Sequence, residues 1–383
     1  MIELANRLKE VKEYYFSKKL TQIKEMNEAG LDVINLGIGS PDLAPHENVI
    51  ARSQEVISKD NSHAYQGYKG TDALRSQMSV WYKKFFDVDL DPSSEILPLM
   101  GSKEGIMHIS MAFLNAGDEV LVPDPGYPTY SSVSNLLEVE MVKYPLDENN
   151  NWEPDFDYLN TLDLSKVKIM WVNYPNMPTG AKATLNLFAK TIAFAKRHNI
   201  LIVNDNPYSF VLNDEQLSIL NIEGAREYAI ELNSLSKSSN MAGWRVGMLV
   251  GDKYYIDNIL RVKSNMDSGM FLAIQEGAIE ALKLGKEWYE ELNLIYKERK
   301  DVVRDLFDLI ECEYKMDDVG MFVWAKVPKG KSAIDLSDEI LERTKVFITP
   351  GSIFGSKGEN YLRISLCTPK ERIQEAINRI ENN

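Results

Sequence analysis

Between residues 119 and 250 the chain alternates short apolar runs with helical patterns, and this alternation constrains the fold more than any other feature. Runs at 119–123, 139–144, 167–173, 200–204, 229–233 and 246–250 have the length and side-chain content of buried strands. Between two of them, Leu185, Phe188, Ala189, Ile192 and Ala195 fall on one helical face. Strands that alternate with helices predict an α/β sheet covered on both sides.

The pattern changes after residue 285. A long helix is expected over 286–309, a strand over 321–327, a helix over 333–344, strands over 346–349 and 361–366, and a last helix from Pro369. That set predicts a smaller α+β unit. The stretch 6–29 is helical in pattern and is expected to pack against it. The predicted plan is therefore 1–45 as an N-terminal segment of the small domain, 46–285 as the large domain, and 286–383 as the C-terminal small domain.

Composition narrows the partners. The chain has 383 residues, with 43 Lys and Arg against 57 Asp and Glu, a net charge of −14. The acid excess is spread along the chain, so neither nucleic acid nor an anionic membrane is an expected partner. No apolar run approaches the roughly 20 residues that cross a bilayer. The first 20 residues are studded with Glu, Lys and Arg, unlike a signal peptide, and a cytoplasmic location is expected. Cys312 and Cys367 do not make a disulfide framework. His46, His63, His108 and His198 show no ligand spacing, so no metal is expected.

The sharpest chemical segment runs from Ser234 to Gly247 and reads SLSKSSNMAGWRVG. It follows a candidate strand and places Lys237 among hydroxyls, with Arg245 eight residues on. Nearby cations lower an amine's pKa and favour its attack on an aldehyde. The whole string resembles the lysine motif of class I aminotransferases, enzymes of fold type I that carry pyridoxal phosphate. The resemblance implies a large domain with a mostly parallel seven-stranded sheet between helices, plus a small α+β domain built from both chain ends. It implies that Lys237 holds the cofactor and that Ser234, Ser236 and Arg245 contact its phosphate.

Other segments match the same family in the expected order. Asp205 and Tyr208 follow the strand at 200–204, which puts them at the strand's C-terminal end, where sites in open α/β sheets lie. The resemblance gives Asp205 the pyridine nitrogen and Tyr208 the phenolic oxygen. Gly101-Ser102-Lys103-Glu104-Gly105 opens an amphipathic helix, and a helix N-terminus suits a phosphate. There Ser102 and Lys103 match the phosphate cup of the subgroup that includes alanine-type and LL-diaminopimelate-type enzymes. Tyr127, in Pro-Asp-Pro-Gly-Tyr-Pro, matches the aromatic residue that stacks on the ring. Tyr65 matches a tyrosine that reaches the neighbouring subunit's phosphate, which implies a homodimer with a shared site. Arg363 matches the arginine that grips the substrate α-carboxylate, a task suited to guanidinium geometry, with backbone around Gly39 close by. Lys103 and Tyr14 are further candidates for substrate contact.

One position departs from the family pattern. The usual Asn-Pro-Thr-Gly reads Met177-Pro178-Thr179-Gly180 here, so the asparagine that binds the phenolic oxygen is missing. Either Tyr208 serves alone, or Asn173 or Asn176 moves in. The expected activity is transfer of an amino group from an amino acid to a 2-oxo acid, with 2-oxoglutarate the acceptor by family habit and ping-pong kinetics. A C–S β-lyase on the same scaffold is the first alternative. A cofactor-sensing regulator is the second, disfavoured because the pattern begins by about Val33, leaving no room for a DNA-binding module ahead of it.

Overall fold

The computed structural model describes residues 2–8 and 15–382, and at 15 and 16 the backbone alone. Its strands, in chain order, are β1 (Ile34–Asn35), β2 (Ile96–Leu99), β3 (Glu119–Asp124), β4 (Glu140–Pro145), β5 (Val167–Val172), β6 (Leu201–Asp205), β7 (Ala229–Ser234), β8 (Gly247–Gly251), β9 (Glu313–Tyr314), β10 (Phe322–Lys326), β11 (Val346–Phe347), β12 (Thr349–Pro350) and β13 (Tyr361–Ser365). Seven of them form one sheet in the order β2-β8-β7-β6-β5-β3-β4. Strands β3 to β7 pair in parallel, while β8 runs antiparallel to both β7 and β2. This is the mostly parallel seven-stranded sheet the family resemblance implies.

Side chains alternate across that sheet with a period of two. Val120 and Val122 of β3 join Ile169 and Trp171 of β5 in one apolar cluster. Its outer wall is Ile106 and Ile109 of the helix Ser102–Phe113 and Ile256 and Ile259 of the helix Lys253–Lys263. Leu121, Met170 and Val172 point the other way, into a cluster with Leu187 and Phe188 of the helix Leu185–His198. Burial on both faces is why these strands read as nearly continuous apolar runs. The residue pattern alone missed β2, because Ile96-Leu97-Pro98-Leu99 carries a proline. Pro98 is tolerated because β2 pairs only with β8 and forms the sheet edge.

The C-terminal third forms a four-stranded sheet, β12-β13-β10-β9, with antiparallel pairing. The helices Lys286–Leu309, Ala333–Thr344 and Lys370–Glu381 accompany it. The expected single strand over 346–349 is two. Its first half, β11, pairs in parallel with β1, and its second half, β12, pairs with β13 in the other sheet. At the N-terminus a 3-10 turn (Asn6–Leu8) and a helix (Tyr15–Glu28) occupy the helical pattern, with 9–14 outside the described residues. The helix buries Ile23 and half-buries Met26 against Val33, Leu341 and Phe347. Lys19 Nζ reaches Asp338 Oδ1 at 2.7 Å, so the helix is fastened to the C-terminal layer. Among the described residues no helix is long and apolar enough to cross a membrane.

Candidate active site

Several parallel strands stop at one rim, and each delivers a polar residue there. Strand β5 is followed by Asn173, β6 ends at Asp205, and β7 ends at Ser234. A cavity of about 850 Å³ opens over this rim, lined also by Lys237, Tyr127 and Arg363. The C-terminal edge of a parallel sheet is where the carbonyl ends stop pairing and loops diverge, leaving room for a ligand.

One end of the cavity is an anion cradle. The helix Ser102–Phe113 begins after Gly101, which supplies no side-chain cap. Its first amide hydrogens are therefore available to an anion, and the helix dipole favours negative charge there. Gly101 adopts φ +86°, and a Cβ on it would lie 2.0 Å from an Arg245 guanidinium nitrogen. Arg245 holds φ 56°, an uncommon conformation for a side chain of its size. Ser234 Oγ donates to Ser236 Oγ at 2.9 Å, and Arg245 Nη1 donates to Ser236 Oγ at 3.5 Å. A guanidinium, two hydroxyls and a helix terminus thus converge, and a phosphate satisfies all of them.

Asp205, the last residue of β6, lines the cavity. Tyr130 Oη donates to its Oδ2 at 3.0 Å, and both groups are buried. Its Oδ1 is buried with no hydrogen-bond partner. Burial pushes this carboxyl up to about 7, the Tyr130 bond pulls it down, and Glu231 on the neighbouring strand pushes it up again. That oxygen has room for one further donor, and a protonated aromatic nitrogen would supply it. Tyr127 meets the Tyr130 ring edge-on at 5.6 Å, and Tyr130 stacks on Trp171 at 4.9 Å. Sequence reasoning missed Tyr130, although it lies one helical turn after Tyr127.

Tyr130→Phe keeps the stacking and removes the donor. It is expected to cost about 2 kcal/mol of stability above pH 8, where Asp205 is ionised, and less at pH 5, where the carboxyl is protonated. Urea unfolding at the two pH values measures this; an equal loss at both would mean that Tyr130 does not serve the ionised form.

Lys237 Nζ donates to the Gly39 carbonyl oxygen, which ties the lysine to the loop 37–42. Burial lowers its amine below the usual value, Cys367 opposes that shift, and Arg363 and Arg245 add to it. A lowered amine holds more of its neutral, nucleophilic form near pH 7. Tyr208 also lines this side, buried, with its ring 5.9 Å from Phe322.

Arg363 is held in an aromatic clamp, its guanidinium carbon 4.0 Å from the Phe322 ring centre and 4.5 Å from that of Phe354. Its Nη2 donates to the Gly37 carbonyl at 2.9 Å, its Nη1 faces Met177 Sδ at 3.4 Å, and its Nε has no partner. Burial pushes this guanidinium down to about 10, with Tyr208 and Cys367 opposing the shift. A buried cation with spare donors binds a carboxylate strongly. Gly39 must lack a side chain here, since a Cβ would stand 2.4 Å from the Phe322 ring.

Both asparagines brace the neighbouring backbone, and Asn173 also lines the cavity. Asn173 Nδ2 donates to the Asp205 carbonyl at 2.5 Å, and its Oδ1 accepts from Met177 N at 2.8 Å. Asn176 Nδ2 donates to the Asn173 carbonyl at 3.1 Å, its Oδ1 accepts from Thr179 Oγ1 at 2.7 Å, and it does not line the cavity. Both amides hold the loop that seats Met177. Lys103 lines the cavity and is exposed. Tyr65 does not reach the cavity of its own chain and is 92% exposed. Tyr14 lies outside the described residues. Glu104, His108 and Asp267 gather away from this rim within 4.8 Å of one another, and Lys263, 2.7 Å from Asp267, supplies the positive charge there.

Comparison with known proteins agrees with this geometry. The sequence model of the family described as aminotransferase class I and II matches residues 31–380. An LL-diaminopimelate aminotransferase of Aquifex aeolicus is 40% identical over 384 residues, covering 100% of this chain and 99% of the relative. One of Maridesulfovibrio salexigens is 42% identical over 381 residues, covering 99% and 98%. The structure of apo-BacF from Bacillus subtilis superposes with a TM-score of 0.95 at 34% identity, covering 100% and 98%. These relatives do not favour the C–S lyase alternative. The chain belongs to the class I and II aminotransferases, enzymes that transfer amino groups with pyridoxal phosphate.

Proposed function

We propose that this aminotransferase works between a dicarboxylic amino acid of the LL-diaminopimelate type and 2-oxoglutarate, as a cytoplasmic homodimer. The observation that carries the substrate class is the charge of the cavity lining. Lys24 and Lys103 line it beside Lys237, Arg245 and Arg363, and among the described residues Asp205 is the one acid that does. Full-length identity of 40–42% to relatives named for LL-diaminopimelate supports the same class.

Bound pyridoxal phosphate supplies an aldehyde for the amino group and a ring that draws electrons from the carbon carrying it. Ser102, Ser234, Ser236 and Arg245 would hold its phosphate, and Tyr127 would lie against its ring. Asp205 would keep the ring nitrogen protonated, and Tyr208 would donate to the phenolic oxygen. Arg363 would grip the α-carboxylate beside the Gly39 backbone. Lys237 Nζ would take the α-proton and return it at the neighbouring carbon. Donor and acceptor use one seat in turn, which gives ping-pong kinetics.

Met177 brings no donor to the phenolic oxygen, and Asn176 does not line the cavity. Tyr208 is the donor in this reading, and Asn173, which lines the cavity and gives one Nδ2 hydrogen to the Asp205 carbonyl, is the other side chain with a hydrogen to offer. Met177→Asn is expected to lower the pH midpoint of the cofactor's visible band by about one unit, since an added donor stabilises the phenolate. A midpoint that does not move would remove Met177 from this role.

The homodimer rests on Tyr65 and its surroundings. Tyr68 at 48%, Met266 at 58% and Phe271 at 39% are also exposed. Phe271 stacks on His63, and Gly269 approaches the Gln66 carbonyl so closely that a Cβ would lie 2.4 Å from it, so these loops form one surface. The division at residues 45 and 285 has its own support. All seven strands of the large sheet fall in 46–285, β9 to β13 fall in 286–383, and β1 joins β11 across the chain ends.

The test is glutamate formation from 2-oxoglutarate with LL-diaminopimelate, aspartate, alanine, methionine and phenylalanine as donors. LL-diaminopimelate is expected to give the highest kcat/KM; a monocarboxylic or aromatic donor in first place would overturn the proposed substrate class.

A further inference from the structure

The N-terminal helix Tyr15–Glu28 has two committed faces. Ile23 and Met26 pack on Val33, Leu341 and Phe347, and Lys19 pairs with Asp338. Ser17, Leu20, Thr21 and Lys24 line the cavity. Their spacing of i, i+3, i+4 and i+7 puts all four on one side of a helix. The helix is thus fixed to the C-terminal layer on one side and lines the cavity with the other.

Each inner cation of the cavity has a task in the proposed reading: Arg245 for phosphate, Arg363 for the α-carboxylate, Lys237 for the proton. Lys24 has none. Its side chain is 76% exposed, and its nearest acid, Glu28 Oε1, stands 3.7 Å away. Lys103, on the rim formed by the helix Ser102–Phe113, has no ion-pair partner among the described residues. Two lysines from different parts of the fold therefore line the cavity, and among the described lining residues Asp205 is the one acid.

We propose that Lys24, with Thr21 beside it, is a specificity residue that binds the distal carboxylate of the substrate from the chain's own N-terminal helix. This rests on the dicarboxylate reading above and deepens it. A carboxylate held by Lys24 gains a charge-assisted hydrogen bond and ties the N-terminal helix to the substrate. A substrate without the second carboxylate leaves the helix as it is.

The test uses the cofactor-loaded protein and two unreactive probes, glutarate and butyrate, which share one carboxylate and differ in the second. Calorimetry on wild type is expected to show glutarate bound more tightly, and hydrogen exchange to show the amides of the helix protected by glutarate alone. Lys24→Gln is expected to weaken glutarate about tenfold, to leave butyrate unaffected and to abolish the helix protection. Lys24→Arg should retain most of the glutarate preference. Lys18→Gln, an exposed lysine outside the cavity lining, controls for loss of general charge and should change nothing. An unchanged glutarate-to-butyrate ratio in Lys24→Gln overturns the role of Lys24 while leaving the dicarboxylate reading intact. Equal binding of the two probes by wild type overturns that reading itself.

Discussion

Lys237→Ala is expected to lower turnover by about ten-thousand-fold while the protein stays folded. The size of the effect follows from what else lines the cavity. Arg363 and Arg245 are cations with no lone pair to accept a proton, and Asp205 is buried with one oxygen bonded to Tyr130 and is assigned in this reading to the ring nitrogen. Burial raises the Tyr208 hydroxyl well above its usual value, so it stays protonated at neutral pH. Lys24 and Lys103 are exposed, so among the described lining residues Lys237 is the buried amine placed to take the α-proton and return it one carbon away. Removing a partly buried amine also removes its desolvation cost, which offsets lost packing, and the melting temperature should shift by only a few degrees. Single-turnover rates with LL-diaminopimelate, visible spectra and thermal unfolding check the three parts. Turnover within tenfold of wild type would refute the assignment of the proton to Lys237.

How far the sequence could foretell this site depends on whether a feature is local. Lys237, Ser234 and Arg245 sit in one short segment, and their roles are readable because hydroxyls and a guanidinium are spaced around one amine. Asp205 is readable because a buried parallel strand announces its own C-terminal end. Strand β2 was hidden by Pro98, since an edge position that excuses a proline is a property of the sheet and not of four residues. The split of 346–349 depends on which neighbours each half finds, Ile34 for Val346 and Arg363 for Thr349. Tyr130 carries no local sign of its role, because only the folded sheet brings Asp205 of β6 to its hydroxyl. The helical face of Ser17, Leu20, Thr21 and Lys24 is legible as a stripe, but only the anchoring of Ile23 on Leu341 and Phe347 decides that the stripe lines a cavity. The fate of Asn173 and Asn176 was likewise undecidable from spacing, because the Asn173 amide reaches the Asp205 carbonyl on β6 while that of Asn176 turns back to its own loop.

Asp205→Asn is expected to cost about a thousandfold in kcat, because the neutral amide no longer holds a proton on the ring nitrogen that draws electrons from the reacting carbon. The same substitution carries a second signature that needs no cofactor. In the cofactor-free protein the folded carboxyl is pushed up to about 7 from an ordinary value of 3.8, chiefly by burial. Between these values the folded state binds more protons at Asp205 than the unfolded state does, so this group's contribution to stability falls as pH rises from about 4 to about 7. Asparagine titrates nowhere in that window and can still accept the Tyr130 hydrogen bond, so its stability curve should be flatter. The slope that remains belongs to other raised acids, notably Glu231 and Asp318. A bound cationic ring reverses the logic: opposite charge favours the carboxylate, and the loaded wild-type protein should keep its stability through pH 7. Urea unfolding of both proteins at pH 5 and pH 7.5, with and without pyridoxal phosphate, separates these cases. If the cofactor-free proteins show the same slope, Asp205 is already ionised without its ligand, and its unpaired oxygen is not held in reserve for a protonated ring.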